Sequence, residues 1–318
     1  MNMTIRFFRK LSALRSKVAY EYGNKKHFFV KPKAFWYALC PYLKKYGKSR
    51  HKAVLAYLGR EEAELIEKYR NAICENKQSA YISDDCPIWV MWWQGANYPP
   101  VVKLCLDSIS RNKGNHPLHI LDKTNYKEYI TLPNGLEEKL VKNNNLACLA
   151  DVIRFGLLSK YGGIWLDATI YVSKPITGWQ LPLYSIRHSK GNPRYVLDGW
   201  RWSAFMFACE KGEILPKFLY EAFLMYFNKN NYLIDYFLVD YLIAIIYLNN
   251  HYVRKEIDSL PADNTDTLEL LMNLSQPYNE TWLQSCLQKR CFHKLDWRVK
   301  IGSPDFILAH LMKIDEQH

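Results

Sequence analysis

Three short apolar runs separated by segments of helical periodicity constrain this chain more than any other feature. They are Ile88 to Trp93, bounded by Pro87 and Gly95, then Leu118 to Asp122, then Ile164 to Leu166. Each has the length of a buried strand and is too short for a buried helix. Between them, residues 99–111 open on Pro99-Pro100, a pair suited to a helix start. Residues 136–160 place Leu146, Leu149, Ala150, Ile153 and Leu157 on one face before the helix stops at Gly162-Gly163. Strand, helix and strand in succession predict parallel pairing. The expected class is therefore α/β, a mostly parallel sheet flanked by helices, with ligands bound beyond the carboxyl ends of the strands. Further strands are expected at 181–188 and 202–208, and helices at 213–228 and 234–249.

Upstream of the first strand, 34–46 and 53–76 read as helices, which makes residues 1–78 a helical N-terminal arm and 79–318 the α/β domain. The charge is concentrated in the arm. Of a net +12, residues 1–52 carry +13, and everything after them carries −1. Cations alternate there with Phe7, Phe8, Tyr20, Phe28, Phe29, Phe35, Trp36 and Tyr42. Such a segment suits an anionic membrane surface, where each basic residue contributes roughly 1 kcal/mol. A solvated basic extension and a nucleic-acid contact are the other readings of the same residues. No run of eighteen apolar residues occurs and Arg6, Arg9 and Lys10 come early. Neither a spanning helix nor a secretory signal is expected, so the chain is placed in the cytoplasm, peripheral on the inner face of the cell membrane. The eight cysteines form no C-x-x-C pair and read as reduced thiols.

The stretch from Ala150 to Pro175 carries the most chemistry. On a helix, Asp151 and Arg154 lie about 60° apart and off the apolar stripe, so both can face a ligand. Asp167 follows the strand Ile164–Leu166, at the end where a carboxylate can ligate a divalent cation. The plainer alternatives are a surface i,i+3 ion pair and a turn-forming aspartate. Of the tandem Trp92 and Trp93, one should enter the core and the other could stack on a base, or both could be core. Asp235 and Asp240 fall inside an apolar helix, where carboxylates must be paired or face a cleft. A helix-capping Asp235 partnering an arginine is the competing reading.

The order D-x-x-R, eight residues, then G-G-I-W-x-D resembles the core of family 32 glycosyltransferases and toxin-like sugar transferases, and most closely their capsular polysaccharide synthesis branch. Trp92-Trp93-Gln94-Gly95 resembles that branch's opening strand. The resemblance spans about 86–300 and excludes 1–78. It implies a GT-A fold, Rossmann-like, and retaining transfer of a hexose, galactose or glucose, from a UDP-sugar to a lipid-linked saccharide acceptor in surface-polysaccharide assembly. It implies that Asp151 and Arg154 hold the donor's sugar hydroxyls and diphosphate, and that Asp167 binds the metal or the ribose. Trp92, Trp93, Gln94, Gly162, Gly163, Trp202, Ser203, His293, Lys294 and Trp297 complete the expected donor site, and Asp235 and Asp240 are the candidates at the acceptor. Manganese or magnesium would be held by Asp167, Thr169 and His293. Here the sequence departs from the usual metal motif, because Thr169 stands where a second acid is usual and is a poorer ligand for a hard cation, although Asp167-Ala168-Thr169 resembles what the capsular branch often shows. With one acid fewer for a metal, other positive charge must stabilise the leaving diphosphate, and His293 and Lys294 are the expected source; the plainer reading of H-K-L-D-W is a polar surface strand with Trp297 buried. Two other functions fit the sequence, a nucleic-acid-binding protein using the basic segment and a sugar-nucleotide-binding protein without transfer.

Overall fold

The computed structural model describes residues 18, 19, 23, 25–29, 33, 34, 36, 47–74, 81–187 and 201–316. The helix expected at 34–46 and most of the basic segment lie outside these residues. In place of one helix over 53–76 there are two, α1 (Gly47–Glu61) and α2 (Ala63–Tyr69), with the chain turning at the buried Glu62. Then follow β1 (Ile88–Met91), α3 (Pro100–Asn112), β2 (Leu118–Leu121), α4 (Leu136–Lys142) and α5 (Leu146–Tyr161). The helix expected over 136–160 is divided because Asn144, in the run Asn143 to Asn145, takes a left-handed conformation (φ 55°) that a helix cannot continue through. After α5 come β3 (Gly163–Asp167), β4 (Ile170–Val172), β5 (Leu183–Ser185), β6 (Met206–Cys209), α6 (Ile214–Lys229) and α7 (Leu238–Asn249). The chain closes with α8 (His251–Asp258), α9 (Glu269–Asn273), α10 (Glu280–Lys289), β7 (Phe292–Lys294) and α11 (Ile307–Glu316).

The main sheet has the order β2-β1-β3-β6-β5. β1 pairs in parallel with both β2 and β3, β6 runs antiparallel to β3, and β5 runs antiparallel to β6. Four strands therefore point one way and β6 alone points back. This is the mostly parallel α/β sheet expected from the alternating runs. β4 and β7 form a separate antiparallel pair, with Tyr171 opposite His293 and Ile170 opposite Lys294.

The alternation of side chains along a strand divides the core into two layers. Trp89, Met91 and Trp165 face one layer with α5, α6 and α7, while Ile88, Val90, Ile164 and Leu166 face the other with Val102, Leu106 and Ile109 of α3. Val54, Leu58, Leu65, Ile66 and Tyr69 of α1 and α2 belong to the first layer as well. The boundary expected near residue 78 thus does not separate two cores, because residues 47–69 pack into the body of the α/β domain.

Gly162 and Gly163 join α5 to β3 with φ of 70° and 99°. A Cβ at Gly162 would collide with the Lys211 backbone and one at Gly163 with the Pro87 carbonyl oxygen. Both positions need a left-handed backbone and a close neighbouring chain, which only glycine supplies. Gly163→Ala is expected to cost roughly 2 kcal/mol of stability or more. Urea unfolding would show a lower midpoint, and an unchanged midpoint would mean that the turn can shift.

Candidate active site

Strand order 2-1-3 means that the chain leaves β1 for one neighbour and returns on its other side, so the connections diverge between β1 and β3. A crevice opens at such a switch point beyond the carboxyl ends of the strands. Met91, the last residue of β1, is paired in register with Asp167, the last residue of β3. A cleft of about 890 Å³ lies there, within the ordinary range for sites of small-molecule ligands.

Asp167 is two residues beyond Trp165 and shares its face of the sheet, towards α5. The Trp165 Nε1–H donates to Asp167 Oδ1 (3.1 Å), and the Arg154 guanidinium lies over the same indole, 4.9 Å from the ring centre. Arg154 divides its fork between Asp151 Oδ1 and Asp167 Oδ1, each at 2.8 Å. Its side chain is only 6% exposed, which rules out the plain surface pair. From the opposite side, Lys294 Nζ donates to Asp167 Oδ2 and to Thr169 Oγ1, both at 2.8 Å. The floor of the cleft is thus a row of alternating charge, Asp151, Arg154, Asp167 and Lys294.

Burial sets the protonation of this row. It pushes Asp151 up to about 7, against the pull of Arg154 and helped by the nearby Asp167 and Asp240 charges. Burial acts on Asp167 too, but Lys294 and Arg154 together outweigh it and hold that carboxyl below its usual range. Asp240, in the first turn of α7, is raised by burial to about 6 although the Trp202 Nε1–H donates to it at 2.9 Å. Trp202 and Ser203 immediately precede the body of β6, and since β6 runs backwards its amino end lies at the same edge of the sheet as the carboxyl ends of β1 and β3. That is how residues so distant in sequence reach one cleft.

Most of the expected site residues line it. Asp151, Arg154, Asp167, Thr169, Trp202, Ser203, Asp240, Lys294, Trp297, Gln94 and both Trp92 and Trp93 do so. The two tryptophans are each half-buried, resting on opposite core layers, and the Trp92 Nε1–H is buried with no hydrogen-bond partner among the described residues. Trp297, 42% exposed, meets Trp92 edge to face at 5.9 Å.

Four expected residues lie elsewhere. Gly162 and Gly163 are at the far end of β3, roughly 13 Å from Asp167 at a strand's rise per residue, and serve chain packing. His293 alternates with Lys294 on β7 and so points away from the cleft. It is fully buried, bonds with Ser173 Oγ at 3.0 Å and is driven down to about 3 by burial and by Arg290, so it is a neutral core residue. Asp235 is not inside α7 but just before it, where it accepts from the Phe237 backbone N–H and pairs with Arg50 of α1 and with Lys25 at 3.9 Å. The competing reading of Asp235 holds for the arginine partner and not for the helix cap, because the N-cap position belongs to Phe237 and Asp235 bonds the turn before it; it does not line the cleft.

The expected metal set does not converge either. His293 faces the core, both Asp167 oxygens already accept from cations, and Thr169 Oγ1 accepts from Lys294. Among the described residues no three His, Cys, Asp or Glu side chains cluster for an ion. Residues of the cleft passed over in sequence include Arg298, 71% exposed and 5.0 Å over the Trp297 ring, Arg201, and Tyr236, 68% exposed. Arg298 directly continues the His293 to Trp297 motif and could have been read with it. Arg201 adjoins Trp202 but has no motif of its own.

A cleft at a switch point, floored by fixed cations and carboxylates and walled by tryptophans, gives this α/β protein room for a small-molecule ligand. The chain belongs to the capsular polysaccharide synthesis family, whose model matches residues 39–310 and so begins well before the expected residue 86. That membership supports a glycosyltransferase. Among solved structures, the chain is similar to a "PaToxG Glycosyltransferase" at 13% identity and a TM-score of 0.33, over 68% of this chain and 89% of that one. No curated protein matches the sequence.

The raised carboxyls give stability a definite pH dependence. With unfolded values near 3.8, Asp151 and Asp240 bind protons more tightly in the folded state, so between about pH 4 and 7 their contribution falls as pH rises. Asp167, held low, works the other way and only below about pH 4. Asp240→Asn keeps an acceptor for Trp202 and removes one raised group. The variant should gain on the parent protein between pH 4 and 8, by on the order of 2 kcal/mol. Thermal unfolding across that range tests this, and a gap independent of pH would refute it.

Proposed function

We propose that this protein is a retaining GT-A glycosyltransferase that moves a hexose, galactose or glucose, from a uridine diphosphate sugar to a lipid-linked saccharide in the assembly of capsular or related surface polysaccharide. The observation that carries the reading is the cation pair Arg154 and Lys294 gripping Asp167 at the floor of a tryptophan-walled cleft. The family membership supports it.

In this reading the uracil stacks against Trp92 or Trp93, a contact of roughly 1–3 kcal/mol. Asp151 accepts from sugar hydroxyls, and the diphosphate lies towards Lys294 and Arg298. As the bond from sugar C1 to the diphosphate oxygen breaks, negative charge grows on the leaving group, and groups already fixed in place stabilise it without having to reorganise. The new bond forms from C1 to the acceptor oxygen, whose proton passes to Asp240. A carboxyl near 6 is mostly ionised at neutral pH yet basic enough to receive it.

The donor is tested by calorimetric titration with uridine, guanosine and cytidine diphosphate sugars, followed by hydrolysis and transfer assays. One uridine diphosphate sugar should bind selectively and turn over, and NMR of the product should show an α-linkage. Binding without turnover would leave a sugar-nucleotide-binding protein, and failure of every nucleotide would overturn the reading.

Attachment to an anionic membrane surface accounts for the +13 segment, and a lipid-linked acceptor would be met there. No helix among the described residues is long and apolar enough to cross a membrane. Replacing Arg6, Arg9, Lys10, Arg15 and Lys17 by glutamine should release the protein from phosphatidylglycerol vesicles in flotation assays, and the parent's binding should weaken with salt. Binding that withstands both would sink the idea, and tighter binding to RNA than to vesicles would favour nucleic acid as the partner.

A further inference from the structure

We propose that Lys294 is the resident cation of this site, occupying the position a divalent ion would need, so that the nucleotide diphosphate binds and leaves without metal. The inference rests on the donor reading above and specifies how that donor's charge is met.

Lys294 Nζ is 2.8 Å from Asp167 Oδ2 and 2.8 Å from Thr169 Oγ1, so it lies between the two side chains, one residue apart, that would have to share an ion. The placement is built into the fold. β4 begins at Ile170, directly after Thr169, and pairs with β7 in a register that sets Ile170 opposite Lys294. The Leu295 N–H donates to the Thr169 carbonyl at 2.8 Å, which ties the backbone on the far side of Lys294 to the same loop. Strand alternation then turns Lys294 into the cleft and His293 into the core. The ammonium lies 5.3 Å from the Phe205 ring centre, an apolar neighbour that gives it no competing hydrogen bond.

Thr169 fits this arrangement better than an acid would. A single ammonium is balanced by one carboxylate, Asp167, and a neutral hydroxyl completes its second hydrogen bond. A second carboxylate at position 169 would leave excess negative charge where a diphosphate has to approach, and a divalent ion would be needed to offset it. Asp167's other oxygen is committed to Arg154 and Trp165. An incoming ion would therefore have to displace Lys294 and compete with a fixed guanidinium. Lys294 remains 21% exposed, which leaves its third donor for an anion in the cleft.

Calorimetric titration of the full chain with UDP, in EDTA and then in manganese, tests this. The dissociation constant should differ less than about threefold between the two conditions. Lys294→Ala should weaken UDP binding in EDTA roughly 10–100-fold, the range for losing one charge-assisted hydrogen bond, while Lys294→Arg keeps most of it. The double variant Lys294→Ala/Thr169→Asp should bind manganese, read directly from the ion's paramagnetic resonance, and should bind UDP only with it. Binding of UDP by the parent chain only in the presence of metal would overturn the proposal and leave the donor reading standing. Binding of UDP under neither condition would overturn both. Thermal unfolding of each variant separates a lost contact from a lost fold, and a folded Lys294→Ala variant with unchanged affinity in EDTA would also refute the proposal.

Discussion

The Asp167 carboxylate is the point on which the cleft depends, because it is held from opposite sides by cations carried on different parts of the chain. Arg154 comes from the helix just before its strand, and Lys294 from a strand 127 residues later. An exposed ion pair of this size would be worth about 0–1 kcal/mol. This one is different, because Arg154 is 6% exposed, lies over the Trp165 indole and has a second carboxylate in Asp151. Removing one member of such a group strands the others, and that loss typically costs about 3–5 kcal/mol. The row of charges therefore serves as structure before it serves as chemistry. It ties α5, β3 and β7 together at the floor of the cleft, where positive charge is already oriented.

That place follows from the topology. The chain diverges between β1 and β3, which opens the sheet's edge, and side-chain parity decides what faces the opening. Leu166 points to the layer under α3, so Trp165 and Asp167 point to α5 and to Arg154. The single reversed strand, β6, delivers Trp202 and Ser203 from its amino end to an edge that otherwise receives only carboxyl ends. Trp202 in turn fixes Asp240 of α7. The cleft collects residues from β1, α5, β3, β6, α7 and β7 because all of those elements end or begin at one edge.

Much of this was legible in the sequence, for identifiable reasons. Short apolar runs with proline and glycine at their flanks located β1, β2 and β3, and the sequence spacing from Asp151 to Asp167 already held the helix, turn and strand that bring those residues together. What depended on pairing between distant segments was not legible. Strand alternation implies that one of His293 and Lys294 faces the cleft, but which one depends on the register with β4. The role of Asp235 depends on Arg50, 185 residues earlier, and no local pattern reveals that partner. Gly162 and Gly163 illustrate another limit: a glycine that admits a ligand and one that admits a neighbouring backbone look alike in sequence. The break in the long helix at Asn143 to Asn145 was visible as an asparagine run, and the apolar periodicity on either side of it outweighed that signal.

The carboxylates also explain how a cleft with four aspartates along it can receive an anion. Asp167 is neutralised by its two cations, and Asp296 lies 3.7 Å from the Arg298 guanidinium. Asp151 and Asp240 remain, and burial raises both, to about 7 and about 6, so that near neutral pH Asp151 holds a proton part of the time while Asp240 stays mostly ionised. Further negative charge in the cleft raises a carboxyl's affinity for its proton. Negative charge entering the cleft would therefore raise the protonated fraction of Asp151. Asp240, which accepts from the Trp202 Nε1–H, is raised less than Asp151 by the same burial. The difference between these two aspartates comes from their neighbours, Arg154 for one and Trp202 for the other, with no difference in side-chain chemistry.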